Sequence, residues 1–167
     1  MSVLLRKISG FSGLVHENMY RFSGWRFLSL GRAIERSIGT AHFLGVFTDT
    51  HAPEGSLDLA IEAGDSIMTH RRLYAVATAR ETVIDLLLLD DLNPRSILHQ
   101  LRLIREHVES LPRRETGQRV TPLARRILQM ETELATATAS EMRGMELGDL
   151  AINTAELSNL LSETYLR

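Results

Sequence analysis

Apolar side chains recur every three or four positions along most of this chain, the spacing that lines them up on one side of an α-helix. Ile97, Leu101, Ile104, Val108 and Leu111 are the plainest case. Trp25, Leu28, Ile34, Ile38, Ala41 and Leu44 repeat the pattern from about residue 24 to 47, which predicts a helix about 35 Å long. Leu57, Ala60, Ile61, Gly64 and Met68 do so over 56–74, with Asp58, Glu62, Asp65 and Thr69 on another side. Further segments at 3–20, 79–89, 122–139 and 146–165 bring the predicted helices to seven. No stretch alternates with period two between turn signals. The run Val83 to Leu89, broken by Asp85, has the composition of a buried strand, but it has helical neighbours and no partner strand. The expected fold is therefore all-α: a single-domain helical bundle of about six or seven helices over residues 1–167.

Turn chemistry divides the segments. The four prolines, Pro53, Pro94, Pro112 and Pro122, each sit where a helix should start or stop. Asn93 as N-cap with Pro94 at the first helical position is the clearest start signal. Ser56 and Thr121 are expected to cap two other helices, and Pro112 to end the fifth. Residues 113–121 form a polar, glycine-containing stretch expected to be a loop. Gly10 and Gly13 weaken the first helix.

Composition narrows the chemistry. An apolar share of 44% and a charged share of 24% are ordinary for a globular chain of 167 residues. With no cysteine, disulfides, thiolate metal sites and cysteine nucleophiles are excluded. A net charge of −2 gives no overall pull toward nucleic acid or anionic membrane. The N-terminal apolar stretch meets Arg6-Lys7 too early for a signal peptide, no uncharged apolar run is long enough to span a bilayer, and a cytoplasmic location is expected. Lys7 is the only lysine, so nearly all positive charge is carried by arginine, whose planar fork suits carboxylate and phosphate.

Polar residues intrude most conspicuously on the long helix. Arg32, Glu35 and Arg36 lie at i, i+3 and i+4 in an otherwise apolar stretch, which predicts that they share a face. Three readings compete: a solvated stripe, an ion pair between helices, and a polar site that grips a carboxylate, phosphate or peptide. Arg102, Arg105 and Glu106, with His99 and His107 nearby, form a counterpart on the fifth helix, and Glu35 is a candidate partner for Arg102 or Arg105. Asp58, Glu62, Asp65 and His70 invite a metal reading, but no Glu-x-x-His pair of the kind used by di-iron bundles occurs, so neither a metal nor a cofactor is expected. No Gly-x-Ser-x-Gly elbow is present, and the basic stretch from Arg113 to Arg126 lacks the aromatics that nucleic-acid binding by stacking needs.

These residues together resemble a known family. The run Gly24-Trp25-Arg26-Phe27-Leu28-Ser29-Leu30-Gly31-Arg32-Ala33-Ile34-Glu35-Arg36 is similar to the signature helix of the bacterial alpha-E domain, named for its Glu-Arg motif. Asp65-Ser66-Ile67-Met68-Thr69-His70-Arg71-Arg72 resembles the family's next segment. Leu87-Leu88-Leu89-Asp90-Asp91-Leu92-Asn93-Pro94-Arg95-Ser96 resembles its Asp-x-x-Asn-Pro-Arg-Ser element, and Arg102-Leu103-Ile104-Arg105-Glu106-His107 the segment after it. The resemblance implies a helical domain that occurs beside circularly permuted ATP-grasp ligases and serves peptide or amide-bond formation or modification. It brings no established catalytic residues. It makes Arg32, Glu35, Arg36, Asn93, Arg95, Arg105 and Glu106 candidates for a ligand site, a partner site or an interhelix ion pair, beside Arg102 from the charge pattern. The family contains two halves, and this chain resembles the second.

Two functions follow as expectations. The first is a non-catalytic accessory domain that binds an ATP-grasp ligase or holds its peptide-like substrate. The alternative is an enzyme of peptide or amide metabolism with Glu35 as general acid or base between helices, which requires Glu35 to sit in a cleft. A two-half family also predicts apolar surface on a lone half, covered by the missing half or by a second copy in a homodimer.

Overall fold

The repeating apolar positions do become helix faces. The computed structural model describes residues 2–75, 77–112, 120–142 and 144–166, with the side chains of 2, 144 and 145 left aside. In chain order the helices are α1 (Ser2–Asn18), α2 (Ser23–Phe47), α3 (Ser56–Ala63), α4 (Ile67–Tyr74), α5 (Arg80–Ile84), α6 (Ile97–Glu109), α7 (Pro122–Thr136) and α8 (Gly144–Tyr165). One π-helical turn, Asp85–Leu89, continues α5. No strand occurs among the described residues, so the chain is all-α. Most of the predicted loop at 113–121 lies outside the described residues.

Helix α2 is the spine. It packs most extensively against α8 on one side and α6 on the other, and α7 closes the layer against both. Leu30, Ala33, Ile34, Ser37, Thr40, Ala41 and Leu44 form its buried stripe. Ile97, Leu98, Leu101, Ile104 and Val108 face it from α6, and Leu147, Leu150, Ala151 and Leu157 from α8. Burying one such leucine fully contributes roughly 1.5–3 kcal/mol, so this three-helix seam dominates the stability.

Two predicted helices are each divided. The segment expected over 56–74 is two helices, because the chain turns at Gly64-Asp65-Ser66 and Asp65 adopts φ 48°. Gly64 gives close packing there: a Cβ would lie 2.7 Å from a methyl of Leu87, which would have to shift. The segment expected over 79–89 changes from α to π midway, with the Asp90 N–H donating to the Asp85 carbonyl at 2.8 Å. The consecutive Leu86, Leu87 and Leu88 are all fully buried there, which one face of an α-helix cannot achieve.

Two expected caps are also corrected. Ser56 is the first helical residue of α3, and the cap is Gly55 at φ 85°. Ser96, not Asn93, caps α6, accepting from the His99 N–H at 3.1 Å. The side chain of Asn93 donates to the Leu86 carbonyl at 2.8 Å and accepts from the Arg95 N–H at 3.0 Å, tying the π turn to the entry of α6. Thr121 caps α7 as expected, accepting from Ala124, with Pro122 following it.

Helix α1 is set apart from this core. Val3, Leu4, Leu5, Ile8, Phe11 and Leu14 remain 53–65% exposed. Its C-terminal end is fastened to α2, with Arg21 donating to the His16 carbonyl and its guanidinium 4.2 Å above the Trp25 ring.

Candidate functional site

The Glu-Arg step of α2 divides at the surface of the bundle. A helix turns about 100° per residue, so Glu35 and Arg36 point in different directions although both stand near Arg32 in sequence. Arg36 and Arg32 line an open cavity of about 270 Å³ between α2 and α6, whose other walls include Trp25, Gln100, Leu103 and His107. Arg36 also lines a second cavity of about 230 Å³, between α2, the end of α3 and the π turn, where Phe43, Gly64, Leu87 and Arg95 face it. Glu35 is exposed and lines neither. That removes the geometric basis for Glu35 as an acid or base held between helices.

The two cavities are lined by cationic side chains. None of the described residues that line them is acidic. Neither Arg32 nor Arg36 forms an ion pair among the described residues. Burial, then the nearby charges of Arg95 and Arg32, lowers the affinity of Arg36 for its proton. The guanidinium stays charged at neutral pH, because arginine starts far above it. Arg95 reaches the Asp65 carboxylate, an exposed pair that leaves it at the rim of the second cavity.

The inner wall of the first cavity is polar and fixed. His107 is buried, its ring 4.9 Å from Trp25 in an edge-to-face arrangement. Arg26 donates to its Nδ1 at 3.4 Å, which leaves Nε2 carrying the proton. Burial depresses the His107 pKa, Arg26 adds to that and Glu106 opposes it. Gln100 is buried too, its amide donating to the Pro94 carbonyl at 2.6 Å.

The other predicted polar residues serve a different contact. Although α2 and α6 are neighbours, Glu35 meets neither Arg102 nor Arg105. Arg105 lies 2.8 Å from Glu131 of α7, and Arg102 lies 3.5 Å from the same carboxylate while also contacting Asp91. The expected Glu35 pair is therefore absent; an interhelix ion pair forms instead between α6 and α7, and its acid is the largely covered Glu131, which periodicity alone does not single out. Glu106 is exposed and forms no ion pair with Arg102. Asn93 is a buried structural residue rather than a ligand-facing one. Among the described residues no group of three histidines or acids could hold a metal ion, and no helix is long and apolar enough to cross a membrane.

Comparison with known proteins places the chain in a family. Residues 1–166 match the Alpha-E family, described as a predicted alpha-helical domain with a conserved ER motif. Glu35-Arg36 is the only Glu-Arg step in the chain. Among curated proteins, the uncharacterized protein Rv2567 of Mycobacterium tuberculosis (strain H37Rv) is 27% identical over 150 residues, which cover 87% of this chain and 17% of the relative. The uncharacterized protein Mb2597 of Mycobacterium bovis is similar to the same degree and over the same shares. The chain thus spans about one sixth of the length of these relatives. No solved structure gives a significant match. On the match over nearly its whole length, carried on a helical bundle whose spine bears the Glu-Arg step, this chain belongs to the Alpha-E family.

Proposed function

We propose that this is a non-catalytic, cytoplasmic accessory domain that holds a carboxylate of a peptide-like molecule for an ATP-grasp-type, amide-bond-forming partner. The observation that carries the binding half is the pair Arg32–Arg36: adjacent on α2, without a protein counter-ion among the described residues, and lining an open cavity. Guanidiniums so placed favour an incoming carboxylate, which each binds through two parallel hydrogen bonds. The ligase half rests on the family resemblance. Exposed Glu35 has no cavity to work in, which weighs against the enzymatic alternative.

Two measurements test the proposal. Titration of the chain with acetate and with small peptide carboxylates should shift the amide and side-chain resonances of α2 and α6 around Arg32 and Arg36, and Arg36→Gln should abolish those shifts. Co-purification with an ATP-grasp ligase encoded beside it tests the partner. Failure of the full-length proteins to associate would remove that part.

A second copy is proposed as well. The specific observation is the run of six exposed apolar side chains on α1.

A further inference from the structure

The two cavities share one wall residue, Arg36. The first contributes Arg32, and the second contributes Arg95. Arg36 lines both and feels the charges of Arg32 and Arg95, so three guanidiniums are gathered there, with apolar surface in each cavity: Trp25 and Leu103 in one, Phe43 and Leu87 in the other. A single carboxylate accepts from one or two arginines, and Arg95 is then left to its exposed pair with Asp65. The Asp65 carboxylate that meets Arg95 is exposed, so an incoming anion can compete for that arginine at little cost.

We propose that the two cavities act as one groove around Arg36 and take one small molecule with two carboxylates at its ends, the first gripped by Arg32 and Arg36 and the second by Arg95. This rests on the carboxylate-binding reading above and adds its ligand class: a short dicarboxylic acid, its methylenes lying along the apolar walls. Joining two weakly held groups in one molecule makes the second contact intramolecular, which raises affinity sharply when the spacing matches and little when it does not.

The test is calorimetric or NMR titration of the full chain at constant ionic strength. The ligands are acetate, butyrate, the straight-chain diacids from malonate to adipate, and inorganic pyrophosphate. One diacid should bind at least about tenfold more tightly than butyrate, with shorter and longer diacids weaker. Arg95→Gln should reduce that diacid to about the affinity of butyrate and remove the length optimum, and thermal melting of the variant checks that it folds. Diacids no tighter than butyrate, or tightening steadily with charge and no length optimum, would overturn the two-ended grip while leaving single-carboxylate binding intact. Pyrophosphate exceeding every diacid would overturn the carboxylate assignment. Absence of any shift at α2 with every ligand would remove the underlying reading itself.

Discussion

His107 joins the site to the stability of the core. Its buried imidazole has a proton affinity below the ordinary value, so the folded state favours the neutral ring. The stabilisation is complete above the unfolded histidine value of about 6.5, and is lost as pH falls from there through the lower folded value. The melting temperature should therefore fall on acidification through this window, and His107→Gln should flatten that slope in melts recorded between about pH 7 and 5. Glu131 is the opposite case: a largely covered acid serving two half-exposed arginines. Glu131→Gln should destabilise the chain by about 1–2 kcal/mol in urea denaturation, between the values for exposed and for fully buried pairs. The sequence shows Arg102 and Arg105 as a cationic cluster because they are near neighbours on one helix. It does not show their acid, because pairing across helices depends on how α6 and α7 are docked.

At the scale of elements, legibility follows locality. The Thr121-Pro122 start is readable because both cap and proline act within one turn, on backbone that has no competing partner. Asn93-Pro94 carries the same signal and means something else. The Asn93 side chain donates to the Leu86 carbonyl, seven residues back, and its oxygen accepts from the Arg95 N–H, while Ser96 caps α6. The division between α3 and α4 is hidden because its pivot, Asp65, is a non-glycine residue at positive φ held in a tertiary setting. Ala75, which ends α4 at φ 45°, is a second such residue. Ala75→Gly should relieve that backbone and raise stability by about 0.5–1 kcal/mol in chemical denaturation, provided the left-handed conformation is kept. Helical spacing likewise made the bundle legible but not the groove. It grouped Arg32, Glu35 and Arg36 by proximity, whereas the cavity selects the two arginines and adds Arg95 from a distant loop.

For the whole molecule, the issue is how α1 is covered. Its six exposed apolar side chains stand on a helix joined to the body mainly at its C-terminal end. If a second copy covers them, light scattering should give twice the chain mass, and Phe11→Lys with Leu4→Lys should return a folded monomer with an unchanged helical spectrum. A wild-type monomer at the same concentrations would refute the dimer without touching the groove, which draws only His16 from α1. The family resemblance implies that apolar surface would be exposed on such a chain. Where that surface lies is not apparent from it, because Gly10 and Gly13 weaken the very helix that carries the surface.

The π turn at Asp85–Leu89 bears on how the chain tolerates changes in length. A π turn closes its hydrogen bond one residue later than an α turn, so it holds one residue more for the same advance around the axis. Relatives one residue shorter at this point can thread it as uninterrupted α-helix and still deliver Asn93 and Ser96 to the start of α6. An alignment gap of one position between Asp85 and Leu89 would therefore mark an interchange of helix types rather than a broken domain, and the neighbouring groove would keep its walls.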